Sequence, residues 1–532
     1  MQRYQRFFVI AILAILLINN HSIPLWDQDE AAYAGFGFNM NESGNYLVPD
    51  FMYSDVHRKP PLHFWNIALS YKLFGYNEFA VRFPAFLAIL GTILLMYYQG
   101  KKFLGKNKAF LGVLVIAGSL LVPTLSKISV TDGTLLFFST LSAFGIINTL
   151  RTPNWQWVFL FWLGFALGIL TKGPPIIIFT GAFVGILFLV HPKRMNLLKL
   201  HPWFFLPLAL APAFIWGYFT YLNDGGVFLK WMYDWYVLER INGAVFGQTG
   251  PIGTHLLGLC AFFMFFLMFI PRALGEMGKG MFQKNETATL LFSWFLAGWL
   301  LYEFSPSKLP TYVIAAHVPL AFMIAFQIEK GFPFKTIFDK LVTSLHFILQ
   351  FSIGIALCLV PFFFQFPSNM WPFIVVLGLL LIGINLFILI KRKHQKLYLL
   401  QLAGGIIFIL TVWLIAPFLT PILSSSKQVA SAIVSKNVGV KQVFIGHNFG
   451  EQPSLPFYLL KNGCQPIDVT QFSKEELVKA YTKKPQSFFV LNQEKYDFFC
   501  QTLGKTLPYQ SVSTFIIDRK GKSDYYIVPA NP

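Results

Sequence analysis

The sequence predicts an all-α polytopic membrane protein of about thirteen transmembrane helices. It adds outer-face juxtamembrane helices and a small C-terminal α/β soluble domain. Three observations carry this. Of 532 residues, 55% are hydrophobic and 12% charged, about half the charged fraction of a soluble domain. Mean hydropathy is +0.56, and a soluble chain so apolar would expose surface that drives aggregation. The chain also carries 60 Phe, 21 Tyr and 13 Trp, which suits lipid-facing helices with interfacial aromatic belts.

The first apolar run, Phe7 to Leu25, follows Arg3 and Arg6. It leads into Pro24-Leu25-Trp26-Asp27 rather than a small-residue cleavage site, so it reads as a retained first span. Further apolar runs lie near 80–99, 109–124, 133–150, 155–171, 174–190, 203–222, 254–271, 287–304, 309–328, 342–365, 371–390 and 398–420. Each is near the roughly 20 residues a bilayer needs.

Cations test the count. With the N-terminus in the cytoplasm, the inside segments hold Lys101, Lys102, Lys106, Lys108, Lys193, Arg194, Lys199, Arg272, Lys279, Lys391 and Lys393, among others. In all, about twenty cations fall inside and roughly nine outside, as the positive-inside rule requires. An odd number of spans is therefore expected. The formal net charge of +18 belongs to this pattern. Its cations fall between hydrophobic runs rather than on a soluble face, which argues against nucleic acid as a partner.

Two outer segments are long, Trp26–Phe79 and Gly225–Thr254, long enough for helices lying along the membrane surface. After Thr420 the composition becomes mixed. Gln442–Gly446, Ser487–Leu491 and Asp524–Val528 read as strands, and Lys427–Lys436 and Ser473–Tyr481 as helices. The expected division is a transmembrane region 1–422, containing the outer loop 26–79, and an outer α/β domain 423–532, of sufficient size to fold. Cys260 and Cys358 lie in spans as core residues. Cys464 and Cys500 fall in the outer domain, where a disulfide and two thiols are both open.

The chemistry-bearing residues gather in the outer segments. Asp27, Asp29 and Glu30 lie within four residues at the end of the first run. An ordinary helix start explains acids in a first turn. Beside a bilayer, where ionisable groups are costly, a functional role competes with it. Asp29 suits a general base and Glu30 a neighbour that orients it. His57-Arg58-Lys59-Pro60-Pro61-Leu62-His63 follows. The prolines mark a turn. Arg58 and Lys59 suit a phosphate, and His57 and His63 are weak candidates for a divalent metal. Arg82, Lys127, Lys172, Arg240 and Lys308 stand singly in other outer segments, Lys127 ahead of Asp132. Each reads as a snorkelling anchor; together they could ring one anionic site. CxxC, HExxH, Walker and Rossmann patterns are missing.

These motifs resemble the type-C glycosyltransferase superfamily, and within it the aminoarabinose transferase and protein O-mannosyltransferase group. The matching elements are Asp29-Glu30-Ala31-Ala32-Tyr33-Ala34, His57–Trp65, Gly75–Pro84, Leu170-Thr171-Lys172-Gly173-Pro174 and Ser307-Lys308-Leu309-Pro310-Thr311-Tyr312. They cover roughly residues 1–330 in the expected order. The resemblance implies a polyprenyl-phosphate sugar donor and a lipid, glycan or protein acceptor. It implies a catalytic carboxylate at Asp29, a donor-phosphate contact at Lys59, and roles for Asp132, Arg240 and Tyr312 in the same cavity. Tyr33, His57 and His63 are expected on its acceptor side. Two departures stand out. Arg58 takes the place of an acidic residue that helps hold a metal in the aminoarabinose enzymes, and the segment after Tyr236 lacks the usual acid-then-arginine spacing. A bacterial inner membrane is the expected location. The competing reading is a transporter or lipid flippase, which should show paired half-repeats and mid-span charges.

Overall fold

The computed structural model describes residues 2–239, 248–331, 336–363, 371–391, 397–436, 442–447, 449, 452–484, 487–516 and 521–530. The chain divides into two compact units. One is Met1–Ile18, Lys59–His63 and Arg82–Leu414; the other is Asn19–Arg58, Phe64–Val81 and Ile415–Pro532.

The first unit is helical. Among the described residues, eight helices are long and apolar enough to cross a membrane: Glu78–Leu104, Thr131–Arg151, Trp155–Lys172, Pro202–Asp224, Pro310–Lys330, Ile337–Phe362, Trp371–Ile390 and Tyr398–Phe418. The pair Thr254–Phe262 and Met264–Phe282, bent by 106°, would make a ninth. The bend has a local cause. Phe263 leaves helical geometry, a 3-10 stretch Met264–Phe269 follows, and Pro271 sits in the first turn of the next helix, where its missing N–H costs nothing. Arg6–Leu17 and Pro174–Val190 are shorter apolar helices.

Two expected runs are cut short. The first helix ends at Leu17 rather than reaching Leu25, because Asn19 takes a left-handed φ of 60°, a conformation that ends helices. The 109–124 run breaks after Ala117 at Gly118-Ser119 and resumes as the single turn Leu121–Thr124.

Lipid tails are as apolar as the helices, so close packing rather than water exclusion holds spans together. Small residues therefore sit where helices touch. Thr131–Arg151 meets Trp155–Lys172 at Gly145, where an added Cβ would fall 2.8 Å from Phe161 Cα, and at Gly164, where it would fall 2.9 Å from Phe138 O. Asn154 makes the turn between them by accepting the Gln156 N–H at 2.9 Å, an N-cap bond. Trp294, Phe144 and Phe183 form a buried aromatic centre.

The second unit contains the helix Asp29–Ser43, most of Leu62–Phe74 and a five-stranded sheet. Its strands are β1 (Gln442–Ile445), β2 (Gln465–Asp468), β3 (Ser487–Leu491), β4 (Gln510–Ile516) and β5 (Gly521–Ala530), in the order β2-β1-β3-β5-β4. β1 runs parallel to β2 and β3, and β5 antiparallel to β3 and β4. All five residues of β3 are buried, as expected for a strand covered on both faces. Phe444 of β1 faces Phe489 of β3 in register, with rings stacked at 4.7 Å. Leu477, Tyr481 and Phe499, from helices Lys474–Lys483 and Gln493–Leu503, complete this core. β2 escapes sequence reading because it contains Pro466, tolerated only because β2 is an edge strand. All four cysteines are free thiols.

Candidate active site

In the second unit, the chain turns sharply before its acids. Gln28 has φ 68°, and the helix begins at Asp29. Neighbouring carboxylates then meet different fates. Glu30 is fully buried and its Oε2 accepts the Trp26 N–H at 2.8 Å, so it fastens the turn. Asp29 is 55% exposed, and its Oδ1 lies 2.8 Å from His57 Nδ1. The helix N-terminus favours negative charge there. His57 comes from a single 3-10 turn, Asp55–His57. Arg58 Nη2 lies 2.6 Å from Asp50 Oδ1 and 2.7 Å from Asp55 Oδ1, so two carboxylates already balance it. Tyr33 is 2% exposed and packs against Phe36 and Phe64. Asp27 Oδ1 accepts the Ser454 N–H at 3.1 Å. Burial pushes the Asp27 carboxyl up to about 6, against the lowering effect of that bond. An open cavity of about 490 Å³ in this unit is lined by Asp50, Tyr53, Asp55, Arg58, Phe449 and Asp468, among others.

In the first unit, Lys59 Nζ donates to Tyr236 Oη at 2.5 Å. Asp132 opens the helix Thr131–Arg151, and Lys172 closes Trp155–Lys172. Each charge thus sits at the helix end that favours it. They pair at 2.8 Å, with 10% and 15% of their side chains exposed. Lys172 Nζ also lies 6.0 Å from the centre of the Tyr312 ring. His63 is fully buried, with Nδ1 3.2 Å from Thr134 Oγ1 and Nε2 3.2 Å from Ser129 Oγ. Burial holds it down to about 4, against the opposing pull of Asp132.

The remaining cations are placed differently. Lys308 is buried and donates to the Glu303 carbonyl at 2.5 Å. Glu303 accepts the Gly253 and Leu256 N–H groups, so this cluster fastens the start of helix Thr254–Phe262. Arg82 is 1% exposed. Beside it, Lys127 is pushed down to about 7 by burial and then by the Arg82 charge. Lys127 Nζ donates to Ile18 O at 2.6 Å. Arg240 lies outside the described residues.

The profile of the dolichyl-phosphate-mannose-protein mannosyltransferase family matches residues 58–218. An undecaprenyl phosphate-alpha-4-amino-4-deoxy-L-arabinose arabinosyl transferase of Proteus mirabilis is 26% identical over 59% of this chain and 58% of its own length. An uncharacterized protein of Aquifex aeolicus is 25% identical over 70% of this chain and 72% of its own length. The crystal structure of ArnT from Cupriavidus metallidurans bound to undecaprenyl phosphate superposes with a TM-score of 0.75. At 17% identity it covers 99% of this chain and 98% of that one. The chain resembles these proteins in sequence and has the fold of the ArnT structure.

Within each unit the fold groups some of the sequence candidates and separates others. Asp132, Lys172 and Tyr312 adjoin, with His63 near enough for Asp132 to act on it. Asp29 and His57 adjoin. Tyr33, His63 and Arg82 are buried, and Lys308 serves the fold. Among the described residues, no group of three or more His, Cys, Asp or Glu is placed to hold a metal, and Arg58 stands where an acid would help. Sequence reading missed Tyr236 and the hydroxyls of Ser129 and Thr134. Tyr236 carried only the signal of lying in the second long outer segment. Ser129 and Thr134 flanked Asp132 unremarked.

Proposed function

We propose that the transferase moves a sugar from a polyprenyl-phosphate carrier to a hydroxyl of a lipid, glycan or protein acceptor on the non-cytoplasmic side of a bacterial inner membrane. The acceptor oxygen attacks the anomeric carbon, the bond from that carbon to the phosphate oxygen breaks, and polyprenyl phosphate leaves with the electron pair. Direct displacement inverts the anomeric centre. Asp29 takes the hydroxyl proton. His57, bonded to one carboxylate oxygen, leaves the other to meet the acceptor. Lys59 and Lys172 stabilise charge growing on the leaving phosphate. Tyr236 steers Lys59, and Asp132 steers Lys172. Arg240 and Tyr312 complete the proposed donor side.

The observation that best supports this reading is the Asp29–His57 pair at 2.8 Å: an exposed carboxylate, fixed by an imidazole, at the start of a helix. The test is purified full-length protein in nanodiscs, supplied with an undecaprenyl-phosphate sugar and envelope glycolipid. Transfer by the wild type and its loss in Asp29→Asn are expected. Full turnover in Asp29→Asn would remove the base assignment.

The topology belongs to the same proposal: thirteen spans, a cytoplasmic N-terminus, and residues 423–532 as an α/β domain outside. The inside cation excess supports it. Lys279 and Lys505 are both exposed. In a background without native cysteines, an impermeant thiol reagent added to the periplasm should label Lys505→Cys and spare Lys279→Cys. Labelling of both or of the opposite one defeats the topology.

A further inference from the structure

The segment after residue 423 contributes nothing to the transfer chemistry above, yet one of its helices is bonded to both ends of the loop that carries Asp29. All the groups concerned lie in the second unit. The Tyr458 hydroxyl, on helix Ser454–Leu460, accepts the Leu25 N–H at 2.8 Å. It donates to Glu78 Oε1 at 3.2 Å. The Ser454 N–H, at the start of the same helix, donates to Asp27 Oδ1 at 3.1 Å. Glu78 is buried and is also met by Lys427 at 2.6 Å and Lys461 at 3.7 Å. Phe457 of this helix is fully buried. It packs against Phe38 of helix Asp29–Ser43 and Tyr71 of Leu62–Phe74.

These bonds fall where the backbone is under strain. Gln28 holds φ 68°, a region that non-glycine residues rarely adopt and that persists only when the surroundings enforce it. The two bonds from helix Ser454–Leu460 grip Leu25 and Asp27, just before that residue. Asp29 follows it directly, as the first residue of its helix. Relaxation at Gln28 would therefore swing the Asp29 carboxylate.

We propose that Tyr458 is a positioning residue for transfer: with the Ser454 N–H, its hydroxyl clamps the strained turn that aims Asp29, which makes helix Ser454–Leu460 part of the catalytic apparatus. The proposal rests on the reading of Asp29 as the base. It acts on geometry and leaves donor binding alone, so its mark is a fall in kcat at constant donor KM. A misplacement of about 1 Å costs up to about a hundredfold in rate.

Tyr458→Phe in the full-length protein keeps the ring and removes only the hydroxyl. Asp27→Ala removes the carboxylate that accepts the Ser454 N–H. Each should lower kcat by about tenfold or more, with donor KM within about twofold, and speed amide exchange at residues 25–30. Tyr481→Phe is the control. Its hydroxyl bonds Pro529 O within the sheet region, and kcat should hold. Unchanged kcat in the folded Tyr458→Phe protein, or a rise in donor KM alone, overturns the proposal, as does unchanged exchange at residues 25–30. If Asp29→Asn keeps full turnover, the base reading falls separately, and the exchange measurement still reports whether the clamp exists.

Discussion

His57 Nδ1 stands 2.8 Å from Asp29 Oδ1 across 28 residues of sequence, and this bond gives the carboxylate a direction. A carboxylate can accept at either oxygen and turn about its stem. Tying one oxygen to an imidazole fixes the other. Asp29→Asn should therefore lower kcat by about 10² to 10⁴, the usual worth of a general base. His57→Gln keeps a donor for Asp29 but holds it less rigidly than the imidazole. It should cost less, about tenfold. Steady-state transfer assays check both.

Lys59 is the second point of leverage. Its ammonium is held by the Tyr236 hydroxyl and lies 4.8 Å from the centre of that ring. A lysine meeting a phosphate makes a charge-assisted bond worth about 1.5–3 kcal/mol. Lys59→Ala should weaken donor binding by about ten- to a hundredfold, read as KM or direct binding of polyprenyl phosphate. Tyr236→Phe keeps the ring and should cost about threefold or less.

Asp132 and Lys172 form an ion pair that is largely out of water. Removing one partner strands the other charge, so Asp132→Asn or Lys172→Met alone should destabilise the protein by about 3 kcal/mol. The double variant should cost clearly less than the two losses added together. Melting in detergent checks the cycle. Additive losses would show that the pair is not coupled.

Asp27 gives a pH signature of known sign. Its carboxyl stands at about 6 in the fold against an ordinary 3.8, because burial disfavours the charged form. The native state thus binds more protons than the unfolded chain between those values. Stability from this group is full below about pH 4, falls as pH rises to about 6, and stays lower above, by at most about 3 kcal/mol. Asp27→Asn should lack this fall and melt above the wild type at pH 7. Subtracting its melting curve from that of the wild type isolates the Asp27 contribution.

Much of the fold was legible because lipid imposes a simple rule: a spanning segment must be apolar over about 20 residues and must satisfy its own backbone. Each expected span coincides with helix over most of its length among the described residues. Where helices stop early, at Asn19 and Gly118, the cause is a local backbone conformation that hydropathy does not register. β3, a run of five apolar residues, announced itself. β2 did not, since its proline and acid fit only an edge.

Asp29, His57 and Lys59 could be picked out from the sequence because charged groups beside a bilayer are expensive and seldom idle. Their partners could not. Which of two adjacent carboxylates faces water and which fastens a turn depends on the helix phase set by Gln28. That Tyr236 meets Lys59, and Tyr458 meets Leu25, depends on contacts between residues 177 and 433 positions apart. The sequence by itself determined the membrane class, the outer location expected for the chemistry and the residue types available for it. Only the tertiary structure decided which side chains touch, because hydropathy is a property of local composition whereas a hydrogen bond needs two distant groups brought within about 3 Å.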